Sequence, residues 1–312
     1  MHPSNQNNAT NPEPSGPSSS LSRSLSGSLH PRCSLLTNGY SAHAKHADQN
    51  MRDMVLNPEA IKHDLRGLNH WITQLAPNTK PSFELYCDRK KYRPADETRI
   101  RTVMQTPRKL PTFIYLAGHT ETDISVTGPS NGQLVYAPDD CLEASDSDQL
   151  KLIAYETMRQ WLLNSSHSES LLFLTEVCYC ENFLQLPYVL ELNGDETQWT
   201  KTSYYGSFKG NSSDIVHFAA TSPGEQAMSF GTIGSVFTKA FCYVDPKEVR
   251  SLKAIAQQLQ KNVNEILSGS SRQKSQNVKI YSSRMIDDPH FFATLGFFLS
   301  SSGVEDDYDS SG

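Results

Sequence analysis

A chain of 312 residues with a formal net charge of −6 has room for one sizeable α/β domain with tails, or two small domains, and carries no basic footprint for nucleic acid. Its hydrophobic share of 37% is low for a globular chain, which fits a folded middle between solvated ends. No run approaches the roughly 18 apolar residues of a membrane span, no apolar N-terminal stretch marks a secretory signal, and the six thinly spread cysteines read as reduced thiols, so the expected location is cytoplasmic or nuclear, away from membranes.

Residues 1 to about 30 are rich in Ser, Asn, Pro and Gly and lack the apolar surface to offset their ordering entropy, so a disordered tail is expected there. Cys33–Thr37, between Pro31 and Asn38-Gly39, reads as a first strand and opens a domain expected over residues 31–300. His43 and His46 lie in a polar segment read as a solvated loop rather than a metal site. From Pro58 to Ala76, Ile61, Leu65, Leu68, Ile72 and Leu75 recur at steps of four and three, the mark of an amphipathic helix, with Pro58 suited to its first turn. Phe83–Cys87 alternates like a strand, and Asp96 is placed to cap a short helix holding Ile100, Val103 and Met104.

Thr112–Ala117 and Leu171–Leu174 are short continuous apolar runs, the pattern of strands covered on both faces. A helix is expected from about Asp148 to Leu163 between them. Residues 193–214 show little periodicity and read as a long mobile surface loop. Ile215–Ala220 is a third buried strand, with His217 inside it expected to be a core residue. Helices follow over Ser235–Tyr243 and Pro246–Leu267, then a last strand near Val278–Tyr281 and an acidic tail over residues 301–312. Strands alternating with helices predict a three-layer αβα sandwich with a mostly parallel sheet of about six strands. Neither a P-loop nor a G-x-G-x-x-G is present, so nucleotide chemistry has no support.

In open parallel sheets, ligands and chemistry collect at the carboxyl ends of strands. Gly118-His119 follows one buried run, and Cys178 follows another after Thr175-Glu176. If the two strands are neighbours, thiol and imidazole meet at one rim, which is what a cysteine hydrolase needs. The alternative for each residue is plain: a cysteine after a strand is commonly an apolar filler.

The surrounding segments carry a resemblance. F-I-Y-L-A-G-H resembles the YFSGHG segment of the caspase/metacaspase clan, and L-L-F-L-T-E-V-C-Y-C-E-N-F resembles its ITDCCYSG segment, with Cys178 in the nucleophile's place. V-H-F-A-A-T-S-P-G-E-Q-A and G-S-V-F-T-K-A-F are similar to the clan's later strand and GGxFTxxL helix, and the order of elements agrees from Cys33 through Tyr281. The His–Cys spacing is also near the roughly 50 residues of caspases. The fungal caspase-like branch, peptidase C14, is the one most resembled.

The resemblance implies a caspase-like fold and a cysteine endopeptidase acting on peptides or proteins, as a monomer or weak dimer. Cys178 would be the nucleophile and His119 the proton shuttle, with the Gly118 region and the Cys178 amide forming the oxyanion site. Glu176, and Glu59 early in the first helix, would line a pocket favouring Arg or Lys before the cleaved bond by charge pairing. Ser222, in the turn Ser222-Pro223-Gly224-Glu225, would line the cleft. No metal or cofactor is implied, with calcium dependence left open. Self-cleavage in the 193–214 segment would fall after Lys201 or Lys209 with an acidic pocket, or after Asp195 or Asp214 with a basic one.

Two departures bear on activity. Thr120 stands where the clan has a glycine, and Cys180-Glu181 replaces the Ser-Gly that follows the nucleophile. They keep open a second reading, a catalytically impaired scaffold. Cys178, Cys180 and His119 as zinc ligands, or the two sulfurs as a redox pair, are the remaining ones.

Overall fold

In the computed structural model, the described residues are 30–298 apart from 47, 76–82, 123–133, 143–149, 194–195, 211–212 and 270–274. The expected terminal tails therefore lie outside the described residues, but for residue 30. In chain order the main sheet takes β1 (Arg32–Thr37), β2 (Phe83–Cys87), β3 (Thr112–Ala117), β4 (Leu171–Glu176), β5 (Tyr188–Asn193), β6 (Glu196–Lys201), β7 (Ile215–Ala219) and β8 (Lys279–Ser282). The helices used below are α1 (Pro58–Leu75), α2 (Glu97–Gln105), α3 (Tyr155–Leu162), α4 (Val236–Cys242) and α5 (Leu252–Ser268).

The sheet order is β2-β1-β3-β4-β7-β8-β5-β6. The five strands from β2 to β7 run parallel, and β8, β5 and β6 join antiparallel. Eight strands rather than about six result because β5, for which no strand was expected, pairs as a hairpin with β6, which falls where a loop was expected. Part of the 193–214 segment, Glu196–Lys201, is thus an edge strand: Trp199, the one large apolar residue of that strand, packs only partly, so periodicity was weak.

Side chains alternate between the faces of each strand, and the helices divide accordingly. Cys33 and Leu35 of β1, Phe113 and Tyr115 of β3, and Leu172 and Leu174 of β4 pack against α1, α4 and α5. Leu36, Ile114, Leu116, Leu171 and Phe173 face α2 and α3. A three-layer αβα sandwich follows.

Local signals set the helix ends. The Asn57 side chain accepts from the Glu59 amide at 2.9 Å and starts α1 at Pro58. Asp96 accepts from the Arg99 amide and caps α2, as expected. Two onsets differ. α3 starts at Tyr155, after Ile153–Ala154 pairs with Leu134–Tyr136, and α5 starts at Leu252 behind a Ser251 cap. His43 is also not solvated; it is buried with its Nε2 3.6 Å from the Cys141 sulfur. Among the described residues no helix is long and apolar enough to cross a membrane.

Candidate functional site

β1 pairs with β2 on one side and β3 on the other, so the chain steps outward from β1 to β2 and then crosses back to β3, and the strand order reverses between β1 and β3, where α/β sheets open a crevice. β3 and β4 are parallel neighbours whose last paired residues are Ala117 and Glu176. Two residues further along each strand stand His119 and Cys178. Both line one cavity of about 120 Å³, together with Thr37 at the end of β1.

Gly118 makes this approach possible. Its φ is 156°, and a Cβ there would lie 2.6 Å from the Tyr40 hydroxyl and 2.7 Å from that of Tyr136. Both hydroxyls are fixed. Tyr40 donates to the Ala137 carbonyl and receives the His119 amide, while Tyr136 donates to the Ala117 carbonyl. The Gly118 amide faces the Glu176 carbonyl at 3.4 Å, so it belongs to the β3–β4 ladder rather than standing free as an oxyanion donor.

His119 Nε2 lies 2.6 Å from the Met54 carbonyl. A carbonyl only accepts, so Nε2 carries the proton and a neutral ring keeps its lone pair on Nδ1. Burial pushes the imidazole pKa down, against the opposing pull of the Met54 carbonyl and Glu121. Burial also pushes the Cys178 thiol up; Glu176 and Glu121 add to the rise and a backbone hydrogen bond with Ala227 opposes it. With the thiol raised and the imidazole lowered, both groups line the cavity in their neutral forms.

The chain turns sharply after the thiol. Tyr179 has φ 51°, and its amide donates to the Glu225 carbonyl at 2.7 Å. The Cys180 amide donates to the Thr221 hydroxyl. The two sulfurs of the C-x-C pair consequently have different surroundings. Cys178 lines the cavity, whereas Cys180 is buried 2.9 Å from the Thr175 hydroxyl, which also meets His217 Nε2 at 2.8 Å. His217 is a core residue whose pKa burial pushes down to about 3. No group of three or more His, Cys, Asp or Glu side chains suited to a metal gathers among the described residues.

Glu176 lines the cavity and is buried. The Thr238 amide and hydroxyl both donate to its Oε2, at 2.8 and 2.7 Å, while Oε1 has no hydrogen-bond partner. The second acid is Asp64, which receives the Ser235 amide and hydroxyl at 2.8 and 2.6 Å. Burial pushes Asp64 up to about 7; burial, then the neighbouring Asp64 charge, pushes Glu176 up to about 8. Glu59 is a correction: it is exposed and paired with Lys62 at 2.9 Å, because the start of α1 turns it outward. Asp64 could have been found in the sequence. It sits three residues after Ile61 and four before Leu68, on the helix's apolar stripe.

Two further expectations need revision. Ser222 does not line the cavity; its hydroxyl donates to the Asn277 carbonyl, and Ala227, Met228 and Ser229 take the place expected of it. Thr120 is buried behind the site, where its hydroxyl donates to the Cys178 carbonyl. The sequence reading also missed Tyr40 and the Met54 carbonyl, since neither position carries a local signal of its own. Cys141 and His43 make a second thiol–imidazole pair, but both are sealed in the interior and burial pushes that thiol up to about 12.

The caspase domain family profile matches residues 96–289 of this chain. No curated protein sequence matches it. Among solved structures, caspase-1 from Spodoptera frugiperda is similar, with 11% identity, a TM-score of 0.45, and coverage of 81% of this chain and 85% of that one.

Proposed function

Because the chain belongs to the caspase domain family, a family of cysteine peptidases, we propose that it is a cysteine endopeptidase with Cys178 as nucleophile and His119 as proton shuttle, cleaving after basic residues. The observation that carries this reading is the meeting of the two side chains in one cavity at adjacent strand ends. As the thiol proton passes to His119 Nδ1, Sγ bonds to the scissile carbonyl carbon. The proton then passes to the leaving amine as the C–N bond breaks, and water hydrolyses the thioester. The Met54 carbonyl stabilises the transient imidazolium. The Cys178 amide takes the oxyanion role.

The unmet Oε1 of Glu176, with Asp64 lining the same cavity, supports a guanidinium or ammonium at the P1 position. Neutral at low pH, these carboxyls ionise as pH rises through about 7 and about 8. Capture of a basic peptide is expected to strengthen over that window, which the bound cation itself shifts downward. Stability runs the other way. Both folded pKa values lie above the unfolded values of about 4, so the stabilisation is full below about 4 and is lost as pH rises to 8. Glu176→Gln or Asp64→Asn is expected to lower kcat/KM for an Arg-P1 peptide roughly ten- to 150-fold, the equivalent of about 1.5–3 kcal/mol for a charged hydrogen bond, and to flatten the rise with pH. A tetrapeptide library assay checks this; a preference for Asp at P1 would overturn the basic-pocket reading.

Self-processing is part of the proposal. Lys201 ends strand β6 with its ammonium 3.8 Å from the Tyr205 ring centroid, and Asp214 is paired with Arg284. Lys209 is exposed and outside any strand or helix, so cleavage is expected after Lys209. N-terminal sequencing of fragments from wild-type and Cys178→Ala protein tests it, and intact wild-type chains would count against it. A second reading, a scaffold without turnover, draws on the Thr120 side chain occupying the glycine's place and on the raised thiol pKa. It expects no labelling of Cys178 by thiol-directed peptide probes.

A further inference from the structure

Behind the wall that holds the two buried carboxylates lies a larger cavity that peptide cleavage does not use. It measures about 720 Å³ and opens between α1 and α4. Gly67 lets the helices approach here: a Cβ at this position would stand 3.1 Å from the Cys242 sulfur. Arg66 from α1 and Lys239 from α4 bring cationic side chains to the lining, and His63 and His70 add imidazoles. Among the described residues neither Arg66 nor Lys239 has a carboxylate partner; Lys239 lies 5.9 Å from the Tyr243 ring centroid. The negative groups are Asp245, whose carboxylate receives the Lys247 amide, and Asp64, which is bonded to Ser235. Ile233 and the exposed Tyr243 ring give apolar surface.

We propose that this cavity binds a small anion with an apolar body, a phosphate or carboxylate carried on an aromatic or aliphatic group, and that its occupancy weakens the substrate pocket's hold on cations. Arg66 and Lys239 take the anionic group, and Ile233 and Tyr243 the body. The coupling runs through shared residues. Asp64 lines both cavities, and Thr238 lines this one while its amide and hydroxyl hold Glu176. An anion here opposes ionisation of both acids by like-charge repulsion, and the acids themselves are buried in the wall between the two cavities. The coupling rests on the acidic-pocket reading given above; the binding does not.

Calorimetry on Cys178→Ala protein tests both parts without needing turnover. Phenyl phosphate is expected to bind saturably at one site, inorganic phosphate at least tenfold more weakly, and benzyl alcohol not measurably. The Arg66→Glu/Lys239→Glu double variant, whose exposed and half-exposed positions tolerate charge reversal, is expected to bind phenyl phosphate at least tenfold more weakly with an unchanged circular dichroism spectrum. No binding, or equal binding in the two proteins, overturns the site. Saturating phenyl phosphate is expected to weaken agmatine, a guanidinium mimic of the P1 side chain, at least threefold, and agmatine to weaken phenyl phosphate by the same factor. Independent binding of the two, or no agmatine binding, overturns the coupling and leaves the anion site standing.

Discussion

Cys178→Ala is expected to lower turnover of an Arg-P1 peptide by about 10⁴-fold or more, since neither water nor another side chain replaces a positioned nucleophile. His119→Ala is expected to cost a similar factor, because the neutral thiol needs the Nδ1 lone pair to take its proton during attack. The unfolding free energy of Cys178→Ala is expected to change by less than about 1 kcal/mol, as the sulfur is only half-buried and lines a cavity. Cys180→Ala should do the reverse. Its sulfur is fully buried against Thr175, so its loss costs stability and leaves Cys178 in place. Cys141→Ala is the control for the sealed pair with His43. Turnover that survives Cys178→Ala but not Cys141→Ala would move the chemistry to that second pair and end the present assignment.

Trp71→Ala is expected to destabilise the protein by about 3–5 kcal/mol, a large part of the 5–15 kcal/mol of a typical domain. Trp71 is fully buried on α1 and packs within 4.7 to 5.6 Å, centroid to centroid, of Phe241, Phe113 and Phe292. Its indole N–H also donates to the Val244 carbonyl at 2.9 Å, so truncation strands a buried acceptor as well as opening a cavity. The residue joins α1, the central sheet and α4, the elements that carry Asp64, His119 and Thr238. Urea unfolding of wild type, Trp71→Phe and Trp71→Ala gives the measurement, with Trp71→Phe expected to lose less. A loss under about 1 kcal/mol for Trp71→Ala would show that this aromatic cluster does not anchor α1.

How much was readable beforehand varies with the kind of signal. β3 and β4 stood out because strands covered on both faces must be apolar throughout, and α1 because a half-buried helix must repeat its apolar residues every three to four positions. Strand β6 was missed although Asn193-Gly194 is a hairpin signal, because an edge strand with one solvated face has little apolar pattern to show. Glu59 and Ser222 were misplaced for another reason. A match in sequence fixes a position along the chain, but the start of a helix or a turn decides which way the side chain faces.

Burial periodicity and local chain order are one-dimensional properties, so the layered α/β class, the strand ends bearing His119 and Cys178, and Glu176 two residues before the thiol are legible along the chain. Tertiary structure alone decided that β3 and β4 are neighbours, that Asp64 rather than Glu59 joins Glu176, and that Met54 lends its carbonyl to His119. It also decided that the C-x-C sulfurs part company. Each of these depends on contacts between segments distant in sequence, whose packing and desolvation no local stretch of chain encodes.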